Sequence, residues 1–366
     1  MDQHDRLRHP RADPHLPSKR PARFAREGEG LMRRVPLPIL VYFVVMAVLP
    51  LFMGSSGQFY DAFQTIFVFS LVGLGLNVVT GFTGLLNLGM AAFMAIGAYT
   101  FAILTSDIYP FQIGFWWGTL ATVAFGALAG FLLGAPTLGL KGDYLAIVTM
   151  GFGEITLDVL KNLDAVTKGT QGINPLPRPT FGSWSLDLQE ERGWYWLLLS
   201  FVLLAVLAVR RLERSRSGRA WLSIREDALA SECMGIPPKR TKMVAFATGS
   251  ALAALGGALF AALLSSTGEP ASYDFQVSIL ALCIVIVGGM GSVAGTLVGA
   301  VVMVGLNSLV LVKLADWAGA AGFGSASNVL VSPNNWKYLI FGLALILVVR
   351  LKPDGLLPPR LEGSSG

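Results

Sequence analysis

The stretch Ser217-Gly-Arg-Ala-Trp-Leu-Ser-Ile-Arg-Glu-Asp-Ala-Leu-Ala-Ser-Glu-Cys-Met-Gly235 sits inside the segment Arg210 to Lys242, which carries nine Lys/Arg and four Asp/Glu. Apolar runs long enough to cross a bilayer flank that segment, so it reads as a charged loop between membrane spans. At about 100° per residue, Ile224, Ala228, Trp221, Leu229, Leu222 and Cys233 fill one half of a helical wheel. Glu226, Asp227 and Ser223 occupy the other half. Gly235 offers a helix stop, and Pro237-Pro238 forbid continuation. The pattern predicts one short amphipathic helix. In a long basic loop of a membrane protein such a helix is a docking element, the alternative being a helix that lies on the lipid surface.

Composition agrees with a membrane chain. Hydrophobic residues make up 53% of the 366 and charged residues 14%, a balance that fits a polytopic membrane protein and not a soluble core. Glycine contributes 42 residues, which suits close helix packing in lipid, where no hydrophobic effect drives helices together. The net charge of +5 is concentrated in the N-terminal tail and the loop, so it reports orientation and not nucleic-acid binding. Cys233 falls in the loop and Cys283 inside a span, which indicates neither a disulfide framework nor a metal site.

Residues 1–34 are polar and Pro-rich, with nine Lys/Arg against five acids, and read as a disordered basic cytoplasmic tail. The tail is too long and too charged for a simple signal peptide, and Pro36 to Met53 reads as a retained helix. Apolar segments follow at 61–80, 88–105, 115–135, 144–162, 194–210, 243–264, 277–312 and 336–350. The run 277–312 decides the count. Split at Gly288-Gly-Met-Gly291, it gives two short spans near the lower limit of ~17 residues for crossing. The tail, the basic loop and the C-terminus then share the inner side, as the positive-inside rule prefers. The expected fold is an all-α polytopic membrane protein of about ten transmembrane segments, some short or broken, in two related halves. Residues 35–357 form its membrane domain, with a cytoplasmic loop at 211–242. Residues 358–366 are a C-terminal tail whose Gly-Ser-Ser-Gly end reads as part expression scar.

Two glycine-rich stretches mark breaks in the spans. One is Gly73-Leu-Gly-Leu-Asn-Val-Val-Thr-Gly-Phe-Thr-Gly-Leu-Leu-Asn-Leu-Gly89; the other runs from Gly288 to Gly299. They fall in different halves of the chain at Gly-x-x-Gly spacing, which hints at an internal repeat. Broken helices at depth are tolerated where they are buried or line a cavity, so Asn77, Gly81, Gly84, Asn87, Gly89, Gly288 and Gly291 are candidate translocation-pathway residues. For any single glycine, tight helix packing is the competing reading. Glu154 and Asp158 are four apart and share a helix face. A carboxylate at membrane depth marks Glu154 as a pathway candidate or a structural hydrogen-bond anchor. Between two spans, Lys168-Gly-Thr-Gln-Gly-Ile173 forms a polar turn on the outer side, open to a partner arriving there.

Catalytic constellations are absent. All three histidines, His4, His9 and His15, lie in the tail, and the only approach to a phosphate-binding loop, Gly134-Ala-Pro-Thr-Leu-Gly139, has its lysine one place late at Lys141 without a following Ser/Thr. If transport costs ATP, another subunit hydrolyses it.

Several stretches together resemble the LivM-type permeases of branched-chain amino acid ABC importers. They are Gly75 to Tyr99, Tyr144 to Ile155, Gly169-Thr-Gln-Gly172, Gly218-Arg-Ala with Ile224-Arg-Glu-Asp227 and Met234-Gly235, Gly288-Gly-Met-Gly-Ser292, and Lys352-Pro-Asp-Gly355. The resemblance runs in order from about residue 36 to 357. Departures are Trp221-Leu-Ser, where the family commonly has a basic residue, and Cys233 in place of a frequent alanine.

The resemblance implies a permease subunit that moves branched-chain amino acids inward across the bacterial cytoplasmic (inner) membrane, with both termini cytoplasmic. Its implied partners are a LivH-type permease, two ABC ATPase subunits and a periplasmic or lipid-anchored solute-binding protein. The chain itself would hold no cofactor and no metal, with ATP and Mg on the ATPase subunits. The ATPase-coupling set would be Gly218, Arg219, Trp221, Ile224, Arg225, Glu226, Asp227, Leu229, Met234 and Gly235. Thr170, Gln171 and Gly172 would meet the binding protein. A permease for urea or another small polar solute in the same superfamily is the runner-up, followed by a secondary transporter, which would need more charged groups at mid-membrane than Glu154 and Asp158 provide.

Overall fold

A computed structural model of the chain describes residues 37–52, 57–137, 142–181, 184–185, 191–310, 313 and 337–358. The expected tail at 1–34, the end at 359–366 and the Leu138–Lys141 part of the phosphate-loop near-miss lie outside the described residues. As expected, the regular structure among the described residues is helical, apart from an antiparallel pair of two-residue strands, Thr180–Phe181 with Trp184–Ser185. The helices that concern the site are α1 (Leu37–Phe52), α2 (Gly57–Leu76), α3 (Met90–Thr105), α4 (Phe115–Thr137), α5 (Asp143–Asn162), α6 (Asp164–Thr167), α7 (Glu191–Arg214), α8 (Arg216–Glu226), α9 (Ala228–Cys233), α10 (Pro238–Leu264), α11 (Phe275–Gly288), α12 (Val293–Gly305) and α13 (Lys337–Leu351).

The count of ten spans is not confirmed. Among the described residues, six helices are long and apolar enough to cross a membrane by length and composition: Gly57–Gly81, Phe115–Ala135, Glu191–Arg214, Pro238–Leu264, Pro270–Gly288 and Val293–Val310. Leu37–Leu51 and Met90–Thr105 are apolar but shorter. Helix α5 is long enough, yet Asp143, Glu154, Asp158 and Lys161 dilute its hydropathy, and α13 has only 15 residues. The split of the 277–312 run is present. Helix α11 stops at Gly288, Gly289 and Gly291 turn the chain at φ 121° and 86°, and Ser292 caps α12 by accepting from the Gly295 N–H.

Helix α10 is the central post, packed against α2, α3 and α4. Small residues let the backbones touch. A β-carbon on Gly249 would fall 2.6 Å from the Gly75 carbonyl oxygen, and one on Gly97 would collide with the backbone of Ala254. In lipid, association rests on close van der Waals contact of this kind. The hydrophobic core is continuous from Tyr42 of α1 through Phe67, Phe93, Tyr195 and Leu259 to Met303.

The connections gather at two ends of the helices. At one end are the basic loop after α7, the turn after α2, the turn between α11 and α12, and the segment after α13. That last segment is fastened by Leu356 N–H to Val287 O at 2.9 Å and Leu357 N–H to Gly288 O at 3.0 Å. At the other end, Ser106 donates to Pro175 O at 3.3 Å, Ile173 and Thr267 exchange bonds, and Leu176 N–H donates to Ser265 O at 3.0 Å. Helices α7 and α10 join these ends; their 24 and 27 residues rise about 36 and 40 Å, more than the ~30 Å apolar thickness of a bilayer.

Candidate functional site

The basic loop folds as two helices and not as the single helix its periodicity predicts. Ser215 caps α8 by accepting from the Gly218 N–H, and α8 ends at Asp227, which adopts an extended conformation (φ −153°, ψ 110°). The Asp227 carboxylate then accepts from the Leu229 and Ala230 N–H groups at 2.8 and 3.0 Å and starts α9. An aspartate satisfies the orphan donors of a new helix better than it serves mid-helix, which is why the break falls there. Gly235, at φ 84°, closes α9 as expected. Gly218 lets α8 turn back tightly on α7, because a β-carbon there would strike the Leu212 and Glu213 carbonyls.

The break divides the apolar face. Trp221 and Ile224 are buried; the indole stacks on Phe82 (6.4 Å between centroids, 8° between planes) and its Nε1–H donates to Thr241 O at 2.9 Å. Leu222, Leu229 and Met234 remain 40%, 72% and 84% exposed. Glu226 is exposed, and Arg219 is exposed with its guanidinium on the Arg214 carbonyl at 3.0 Å.

Arg225 is exposed as well, and its guanidinium reaches toward the glycine breaks. Helix α2 runs into a π-turn, Asn77–Gly81, and the Gly81 carbonyl lies beside Gly291 of the α11–α12 turn. Asn77 Oδ1 accepts from the Gly291 N–H at 2.8 Å, joining residues 214 apart in sequence. Gly81 has no room for a β-carbon between Asn77 and Gly291 N. The Arg225 guanidinium donates to Gly81 O at 2.5 Å. The structure therefore brings Asn77, Gly81, Gly84, Gly291 and Arg225 into one cluster. Gly288, one turn away, packs against the Gly295 backbone. Asn77 Nδ2 and Thr80 Oγ1 are buried without a hydrogen-bond partner within the described residues.

Asn87, Gly89 and Glu154 belong to a second place. After Thr83 the chain has no regular secondary structure as far as Gly89, and α3 begins at Met90. The buried Asn87 accepts from the Gly89 N–H at 2.9 Å. Thr149 Oγ1 accepts from Leu88 N–H at 3.0 Å and Ser278 Oγ from Ala91 N–H at 2.9 Å, which fixes this helix start to α5 and α11. Between them lies a small open hollow with room for about one water, lined by Leu88, Ala91, Met150, Gly153, Glu154, Leu157, Tyr273, Phe275 and Ser278. The exposed Glu154 carboxylate has no hydrogen-bond or ionic partner within the described residues.

At the opposite end, Gly169 and Gly172 are buried at φ 58° and 68°, while Thr170 and Gln171 between them are exposed. A β-carbon on Gly172 would meet Thr267 Oγ1 at 2.7 Å. The glycines thus set the turn and the two polar side chains face out.

The profile of the family described as branched-chain amino acid transport system / permease component matches residues 60–349. The chain belongs to this family. It is similar to the high-affinity branched-chain amino acid transport system permease protein LivM of Escherichia coli K12, 37% identical over 89% of this chain and 77% of that one. It is also similar to the probable branched-chain amino acid transport permease protein LivM of Methanocaldococcus jannaschii, 24% identical over 80% and 91%. The high-affinity permease protein LivH of E. coli K12 is 22% identical over 80% and 92%. No solved structure matches.

In this permease, sequence reasoning missed Phe82, Thr149, Thr241 and Ser278. Phe82 and Thr149 lie within the quoted motifs and carried a signal. Thr241 and Ser278 carry none, since each is defined by a partner 20 or 187 residues away.

Proposed function

We propose that this chain is one of two permeases in an ABC importer for branched-chain amino acids, paired with a LivH-type permease. Two ATPase subunits drive it, with ATP and Mg bound on them, and a periplasmic or lipid-anchored solute-binding protein feeds it. It resides in the cytoplasmic (inner) membrane with both termini on the cytoplasmic side. The Lys/Arg-rich end, which carries the 211–242 loop and the segment after α13, faces the cytoplasm by the positive-inside rule. The 35–357 region acts as one permease domain of about ten segments in two related halves, four of them too short or too polar to qualify by composition alone.

One observation carries the coupling part of this reading. Leu222, Leu229 and Met234 leave an apolar edge exposed on a loop whose Arg225 side chain bonds to the Gly81 carbonyl of one helix break and lies beside Gly291 of the other. An ATPase groove that covers this edge would hold the loop, with Arg219, Glu226 and Asp227 setting register and Gly218 and Gly235 fixing its turns. Closure of the ATPases would move α8 and α9 and rock the spans between outward-open and inward-open states. The substrate would pass along α5 by Glu154 and the α3 start at Asn87 and Gly89, while Asn77, Gly81, Gly84, Gly288 and Gly291 let the bordering helices bend. Thr170, Gln171 and Gly172 would receive the binding protein. Affinity then resides in that protein, so the pathway needs few charged groups. Co-purification of the ATPase subunits, followed by hydrolysis in vesicles stimulated by leucine and its binding protein, tests the reading. Hydrolysis stimulated only by urea or another solute would keep the architecture and reject the substrate.

A further inference from the structure

Arg225 lies on the helix proposed above to couple ATP hydrolysis to transport; the residue is exposed, and its guanidinium reaches back to the Gly81 carbonyl. The Gly81 carbonyl that it reaches belongs to the last turn of a helix, where no helical N–H follows to satisfy it. Arg225 is its one donor among the described residues. A cation is also favoured at a helix C-terminus by the helix dipole. Two glycines make way for the same side chain. A β-carbon on Gly84 would lie 3.2 Å from Arg225 Cγ, and one on Gly291 would lie 2.9 Å from Nη1. Both glycines have positive φ, 71° and 86°, so a side chain there would be strained as well as crowded.

The two breaks are fastened to each other by the Asn77–Gly291 bond. Among the described residues, Arg225 makes the one side-chain hydrogen bond from residues 215–237 to either break. We infer that Arg225 is a positioning residue, a tie that makes α8 and both broken helices move as one body, and not a contact to the ATPase. This inference rests on the coupling role of the loop. Loop displacement then reaches α2, α3, α11 and α12 together, without slack between loop and break.

A cysteine pair tests the tie. A β-carbon on Gly84 would sit 3.8 Å from Arg225 Cβ, inside the range of about 3.5–4.5 Å that a disulfide spans. The experiment uses the complete reconstituted importer in a Cys233→Ala, Cys283→Ala background, and reads leucine transported per ATP hydrolysed together with retention of the ATPase subunits. Arg225→Ala should retain those subunits and lose at least tenfold in that ratio. Reduced Gly84→Cys/Arg225→Cys should behave the same way, and its oxidation with diamide should restore most of the loss in the same folded protein. A normal ratio in Arg225→Ala overturns the tie, and so does loss of the ATPase subunits, which would make Arg225 their contact. Oxidation that blocks transport, or a pair that never cross-links, overturns it too. Failure of the parent importer to move leucine would instead reject the functional reading.

Discussion

Trp221→Ala should undock the basic loop while leaving the spans folded. The indole is fully buried, stacked on Phe82 and bonded to the Thr241 carbonyl. Removing a buried tryptophan costs about 3–5 kcal/mol in a site that cannot collapse. The loop can settle partly into the space, so about 3 kcal/mol is expected, and the lost hydrogen bond, about 1 kcal/mol net, is contained in that figure. At about 1.4 kcal/mol per tenfold, the docked-to-open ratio falls roughly 100-fold. Trp221→Phe keeps a ring against Phe82 and loses the Nε1–H bond, so its ratio should fall about fivefold. Amide hydrogen exchange of peptides from 216–234, measured on the reconstituted permease, reports this local opening directly. Unchanged protection in Trp221→Ala, or Trp221→Phe as open as Trp221→Ala, would refute the claim that the indole anchors the loop.

Leu229→Glu combined with Met234→Glu should leave thermal stability within about 0.5 kcal/mol, because both side chains are exposed, and should abolish co-purification of the ATPase subunits. Thr170→Ala/Gln171→Ala should likewise keep the fold but lower the stimulation of hydrolysis by the binding protein; full stimulation would remove that turn from the docking surface. Glu154→Gln should reduce leucine uptake without changing assembly, and wild-type uptake would show that the carboxylate does not serve the pathway. Gly97→Ala, whose β-carbon meets the Ala254 backbone, should cost about 1–3 kcal/mol. Gly151→Ala, with nothing within 4 Å, should cost almost none, and equal melting temperatures for the two would contradict the close α3–α10 contact.

Local pattern made much of this legible. The positions of the membrane helices, the split at Gly288–Gly291 and the stop at Gly235 each follow from hydropathy or a turn residue within a few positions. The single loop helix was misread because a wheel gives Asp227 a polar face, whereas the backbone uses its carboxylate to start α9. Counting spans was limited for a related reason: α5 carries four charges among its apolar residues, and helix length and hydropathy cannot tell a polar span from a partly covered helix. The coupling residues follow from the family resemblance, and the pathway residues from residue type, which separates glycine from its neighbours but not one glycine's surroundings from another's.

By itself the sequence determined that the chain is a helical membrane protein, where its helices break, and that a basic loop with an amphipathic pattern interrupts it. These are consequences of the cost of exposing charge or unpaired backbone to lipid, a cost each segment meets on its own. The tertiary structure alone decided that the two glycine breaks meet through Asn77 and Gly291, that Arg225 joins them from the loop, and that Trp221 is covered while Leu229 is not. Those contacts pair residues as many as 214 positions apart, and only helix packing, which no local period encodes, brings such residues within bonding distance.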